Sequence, residues 1–148
     1  MTLAKPIYRA RAMHFYDGDT LSARLESGQR KIIRLSQIDA PEKTQDYGMD
    51  ARITLAGLLR SKAFTFTLEA QITDQYGRLL AEIFTPELCV NLELVRLGAA
   101  HVYDKYCDSL EYIAAENSAR QNARGLWFLS SKPVLPWDYR KKQKATST

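Results

Sequence analysis

The sequence predicts an α+β domain built on a small, five-stranded barrel of the OB type with three helices. Short runs alternate apolar and polar residues, turn signals separate them, and helical patterns interrupt and follow the strands. The first run, 7-IYRARAMHF-15, is strand-like with a loose pattern. In the second, Leu21, Ala23 and Leu25 share one face and Ser22, Arg24 and Glu26 the other, as in a half-buried strand. Ser27-Gly28 makes a hairpin turn into a third strand, 31-KIIRLSQI-38. A helix follows in 48-GMDARITLAGLLRS-61, where Met49, Ile53, Ala56 and Leu59 recur at a helical period and Gly48 eases entry. Phe64, Phe66 and Leu68 alternate with Thr65, Thr67 and Glu69 in a fourth strand. The turn-like 74-DQYG-77 leads to a fifth, 78-RLLAEIF-84. Asn91 reads as the cap and Gly98 as the end of a short helix in 91-NLELVRLG-98. The third helix lies in 108-DSLEYIAAENSARQNARG-125, opened by Asp108 or Ser109 and closed by Gly125.

A chain of 148 residues suits one domain with a core that folds without staples. No internal repeat and no second apolar block after a linker occurs. Residues 1–138 are therefore read as the domain, and 139-YRKKQKATST-148 as a basic, frayed and disordered tail. The formal charge of +4 favours anionic partners, nucleic acid among them. Cys89 and Cys107 are too few for a disulfide framework, and their pairing stays open. No apolar run approaches the ~20 residues of a membrane span. The opening 1-MTLAKPIYRARAMHF-15 lacks the long apolar region of a signal peptide and reads as the domain's start. A secreted or periplasmic location fits only if an export signal has been removed, and the compartment is left open.

Chemistry concentrates near strand ends. Asp17 and Asp19 flank Gly18 at the entry to the second strand, and Asp39 and Glu42 follow the third, with Pro41 between them. Arg34 is opposite in parity to Ile33 and Leu35, and Arg78 to Leu79 and Ala81, so an apolar barrel interior sends both arginines outward. Cleaving a phosphodiester calls for these parts: oxygen ligands for a hard cation, a base for water, and guanidinium forks for the phosphate oxygens. Taken singly, D-G-D is usually a solvated turn and an outward arginine a surface charge.

Taken in order, 17-DGDT-20, 34-RLSQIDAPE-42, 74-DQYGR-78 and 95-VRLGAAHVY-103 resemble the staphylococcal nuclease (thermonuclease) family over about residues 6 to 130. The resemblance implies an OB-fold barrel with three helices. It also implies a calcium-dependent endonuclease acting on DNA and RNA and leaving 3′-phosphate ends. Carried across, Asp19 and Asp39 are similar to the carboxylates that ligate Ca2+, joined by the backbone carbonyl of Ala40. Asp17 corresponds to the acid that supports the metal site from just outside it. Glu42 matches the glutamate that deprotonates or positions the attacking water. Arg34 and Arg78 match the pair that grips the phosphate, Tyr76 a tyrosine near the terminal phosphate, and Tyr103 a base-stacking partner. Two departures bear on affinity: Gln75 stands where the family's best-known member has lysine, and the loop from Glu42 to Gly48 is short.

Two other function classes fit parts of the pattern. A non-catalytic OB module could bind single strands through basic grooves and stacking by Tyr76, Tyr103 and Tyr106. It would not require Glu42. His14 and His101 could instead act as a metal-free acid–base pair on RNA, if folding brought them together. The chain has no Walker-type loop, G-x-S-x-G elbow or H-E-x-x-H. A monomer without an obligate protein partner is expected.

Overall fold

The computed structural model describes residues 5–60, 63–69, 73–103 and 109–146. Strands β1 (Tyr8–Phe15), β2 (Thr20–Leu25), β3 (Arg30–Leu35), β5 (Ala63–Leu68) and β6 (Leu79–Phe84) close into a barrel. Two short strands, β4 (Ile38–Asp39) and β7 (His101–Val102), pair outside it. The barrel order is β1-β2-β3-β6-β5, closed where β5 meets β1. Each pair is antiparallel except β3 with β6, whose parallel register sets Arg34 beside Leu80.

Period-two patterning does what it should. Leu21, Ala23, Ile33, Leu35, Phe64, Phe66, Ala81 and Ile83 point inward and are buried. Each large side chain so removed from water contributes about 1.5–3 kcal/mol before the entropy of ordering it is counted. The hairpin turn is present as well, with Gly28 at φ 95° and its amide on Leu25 O.

Five helices accompany the barrel among the described residues: α1 (Gly48–Leu59), α2 (Val90–Arg96), α3 (Leu110–Gln121), α4 (Leu126–Leu129) and α5 (Pro136–Thr146). The α+β barrel class therefore stands, with two helices more than the three expected. None is long and apolar enough to cross a membrane.

Several details depart from expectation. The run 31–38 is not one strand: Gln37 adopts φ 69°, so β3 ends at Leu35 and the chain restarts as β4. On α1 the buried stripe is Ala51, Leu55 and Leu59, one helical turn apart, whereas Met49 and Ile53 are exposed. Asn91 is not a cap. Cys89 holds that place, and the Asn91 side chain turns into the barrel. There its Oδ1 accepts the Ile83 amide at 3.0 Å, while its Nδ2 donates to Ser36 O and Ala81 O at 3.0 Å. Helix α3 stops at Gln121, before Ala123 at φ 49°, and Gly125 instead opens α4.

The segment from Tyr139, expected to fray, is helical as far as Thr146. Pro136 opens α5, where its missing N–H costs nothing, and Asp138 in the first turn suits the positive helix end. Contacts with the barrel side anchor it: Tyr139 Oη lies 2.7 Å from Thr44 Oγ1, and Trp137 meets Tyr103 edge-on at 5.2 Å. Cys89 is a free thiol. Tyr106, Cys107 and Asp108, considered above for stacking, pairing and capping, lie outside the described residues.

Candidate active site

Backbone packing explains the glycine between the two acids. A Cβ at Gly18 would stand 2.8 Å from the Ala51 Cβ on α1 and 2.9 Å from the Ala40 Cβ. Only glycine lets the loop before β2 sit that close. With the loop so placed, the Asp19 amide donates to Asp17 Oδ1 at 2.9 Å. The buried Asp19 carboxylate accepts the Ala40 amide at 2.7 Å and the Thr20 hydroxyl at 2.9 Å. Ala40 itself is buried behind this carboxylate and does not line the cleft described below.

Arg34 fills the break after β3. Its Nη1 donates to Leu35 O and, at 2.9 Å, to Ile38 O, satisfying carbonyls that the interrupted ladder frees. Its Nη2 stands 3.4 Å from Asp19 Oδ2 and 3.2 Å from Asp39 Oδ1, so one nitrogen bridges both acids. Asp39 reaches this position because β4 pairs with β7, Asp39 opposite His101.

Glu42 sits in a tight turn. Its amide donates to Gln45 Oε1 at 3.0 Å, and the Gln45 amide returns to Glu42 O at 2.9 Å. A Cβ at Gly48 would fall 1.9 Å from Glu42 O, so glycine at the start of α1 is what admits this short loop. Across the opening, Asp74 accepts the Arg78 amide and Nε, each at 2.8 Å, and the Tyr76 amide at 2.9 Å. Burial would push Asp74 up, but these bonds from Arg78 and Tyr76 outweigh it and hold the carboxyl below its usual range. Among the described residues no protein acceptor takes the Nη groups of Arg78, whose guanidinium carbon lies 5.1 Å from the Tyr76 ring centroid.

Asp17, Asp19, Arg34, Asp39, Glu42 and Arg78 line one cleft of about 820 Å³. Tyr76 stands exposed on its wall, and Tyr103 lines it too. A further residue does as well. Arg140 of α5 donates through Nη2 to Asp39 Oδ2 at 2.6 Å, and through Nη1 to Glu42 Oε1 at 2.7 Å and Asp39 Oδ1 at 3.2 Å. Sequence reasoning leaves Arg140 in a solvated tail. The available signal was Pro136 followed by an acid and then good helix formers, which is a helix start.

The electrostatics are lopsided. Burial, and after it the charge of Asp19, pushes Asp17 up to about 8. Burial would raise Asp19 too, but the Arg34 charge, with hydrogen bonds from Asp17, Ala40 and Thr20, holds it below its ordinary value. Asp39 is pushed up to about 6, mainly by burial, despite its bond from Arg140. Burial would lower Arg140, yet its bonds to Asp39 and Glu42 outweigh that and move it further up.

An acid forced to stay neutral beside another acid marks a place short of positive charge. The groups gathered here are carboxylate oxygens, which suit a hard cation such as Ca2+. Among the described residues no three His, Cys, Asp or Glu side chains converge as a ready cage. Asp19 and Asp39 could hold such an ion with backbone and water oxygens completing its shell. The histidines are elsewhere: His14 borders a separate hollow with Arg52 and Arg60, and buried His101 packs edge-on against Trp127 at 5.3 Å. Burial, then the nearby Arg120 charge, lowers His101 to about 4, so it is neutral at ordinary pH.

Comparison with known proteins places this arrangement. The profile of the family described as "Staphylococcal nuclease homologue" matches residues 32–128. An "Uncharacterized endonuclease" of Escherichia coli O157:H7 is 39% identical over 134 residues, covering 90% of this chain and 85% of its own. The "Micrococcal nuclease" of Shigella flexneri is 34% identical over 157 residues, covering 93% and 83%. The "Staphylococcal-like nuclease CAN1" of Arabidopsis thaliana is 35% identical over 112 residues, or 76% of this chain but 34% of its own length.

Proposed function

The chain belongs to the staphylococcal nuclease family, and from that premise we propose that it is a calcium-dependent endonuclease. Its substrates are DNA and RNA and its products end in 3′-phosphate. The observation that carries the reading is the single Arg34 nitrogen bridging Asp19 and Asp39 in the cleft that also receives Glu42 and Arg78. Such a pocket offers oxygen ligands, a proton acceptor and guanidinium donors within reach of one phosphate.

Asp19 and Asp39, which line the cleft, are the residues that would hold Ca2+. The Ala40 carbonyl that the family resemblance adds to them lies outside the cleft lining, and Asp17 supports the pair through the Asp19 amide. When bound, the ion supplies Lewis acidity and a template for a phosphate oxygen. Arg78 presents the Nη edge that Asp74 leaves open, a bidentate match for two phosphate oxygens. Arg34, fixed by two backbone carbonyls, places its charge between Asp19 and Asp39. Glu42 takes the proton of the attacking water or orients it in line with the 5′-oxygen. As the water oxygen bonds to phosphorus, the phosphorus–5′-oxygen bond breaks. The departing 5′-oxygen takes up a proton from solvent to leave as a 5′-hydroxyl, and the phosphate stays on the 3′ side. Tyr76 and Tyr103 offer ring faces to flanking nucleotides at the cleft wall.

End-labelled single- and double-stranded DNA and RNA, incubated with Ca2+, Mg2+ or Mn2+, test this directly. Cleavage with Ca2+ to 3′-phosphate ends is expected. Fragments ending in 3′-hydroxyl would refute the bond assignment, and intact substrate with every ion would refute the enzyme.

A further inference from the structure

Asp39 is almost fully buried, at 1% exposure, and both of its oxygens are already in use. Oδ1 receives Arg34 Nη2 and Arg140 Nη1, each at 3.2 Å, and Oδ2 receives Arg140 Nη2 at 2.6 Å. The same Arg140 guanidinium takes Glu42 Oε1 at 2.7 Å. One side chain thus neutralises the acid assigned to the cation and the acid assigned to water.

The two arginines on Asp39 are held differently. Arg34 is built into the barrel by backbone carbonyls on either side of the β3 break. Arg140 belongs to α5, in which Pro136 is the only buried residue. That helix docks through Trp137, the Tyr139 hydroxyl and Arg140 itself. Its remaining residues include Lys141, Lys142 and Lys144, which gain nothing from burial. An element with so few apolar contacts opens at low free-energy cost.

We propose that Arg140 is an internal counter-cation of the site, and that a divalent cation entering at Asp39 displaces it together with the docking of α5. The proposal rests on Asp19 and Asp39 forming the cation site. A dication bound to a carboxylate and a guanidinium on its other lone pairs repel each other strongly away from bulk water. Oδ2 is held by Arg140 and not by Arg34, so a dication that takes this oxygen competes with Arg140 for it. Linkage then makes the effect reciprocal: whatever factor Arg140 takes from the cation's affinity, the cation takes from helix docking. Before metal arrives, the helix keeps Oδ2 of a buried acid, which Arg34 does not reach, from standing without a donor, which is otherwise costly.

Calcium binding without substrate tests the competition. Titration calorimetry would compare the unaltered protein with Arg140→Gln, and hydrogen exchange would follow residues 136–146 of the unaltered protein with and without Ca2+. Arg140→Gln should bind Ca2+ on the order of tenfold more tightly, a coupling of ordinary size. Exchange in 136–146 should speed up when Ca2+ is added. Equal or weaker affinity in Arg140→Gln overturns the proposal, as does exchange in α5 that stays the same or slows. Equal affinity would fit an arginine that serves the phosphate instead. Absence of Ca2+ binding to both proteins overturns the cation site itself, and the competition with it.

Discussion

Asp39 shows how much a single residue's neighbours decide. The same carboxyl would be an ordinary surface acid in a loop, but here burial and two guanidiniums define what it can bind. Arg34 and Arg78 differ in a comparable way: both Nη groups of the first are engaged by the protein, while among the described residues no protein acceptor takes the Nη groups of the second. Replacing either with alanine should lower kcat/KM roughly 10²–10³-fold, the usual loss for one preorganised donor. Steady-state cleavage of a short oligonucleotide measures it, and a loss of only a few-fold would remove that arginine from the mechanism. Asp17 supports a pH prediction. Its folded value of about 8 lies above the ordinary 3.8, so the folded state holds the proton more tightly. That stabilisation is complete below the ordinary value and fades as pH rises through about 8. Urea unfolding without divalent ions should show stability declining across this window, and Asp17→Asn should flatten the decline. An unchanged slope in the variant would contradict the assignment.

At the scale of elements, legibility followed periodicity. Alternation over five or six residues reveals the barrel strands because one face must be dry, and Leu21, Ala23, Phe64 and Phe66 are buried as the pattern requires. Strands β4 and β7, two residues each, are too short to carry a period, so the pairing that sets Asp39 against His101 could not be read. Helix α5 is polar nearly all round and its key contact spans 101 positions, which no local pattern encodes. Asn91 misled for a plain reason: asparagine before an apolar run is usually a cap, yet here it satisfies three buried backbone groups, two on β6 and one just after β3. Asn91→Ala should therefore cost more than a lost cap, about 3 kcal/mol or more, because buried partners are left unpaired. Chemical denaturation measures this, and a cost below about 1 kcal/mol would show those bonds replaced by water or rearrangement.

At the scale of the molecule, the candidate site is a product of closure. Its acids come from the loop before β2 and from β4 and the turn after it. Its arginines come from the end of β3, the turn leading into β6, and α5. The acids and the first two arginines were nameable from the sequence only because four blocks in order resemble a family, and composition alone left them as turns and surface charges. The closed barrel with its parallel β3–β6 pair brings Arg34 and Arg78 to one opening. The net charge of +4 adds a diffuse attraction for phosphate backbones that salt will weaken.

Supercoiled plasmid DNA incubated with the protein and Ca2+, then with excess chelator, tests the central claim most directly. Conversion to nicked and linear forms with Ca2+, stopped by the chelator and restored when Ca2+ is returned, is the predicted result. Cleavage that continues in the chelator, or intact plasmid throughout, would contradict it.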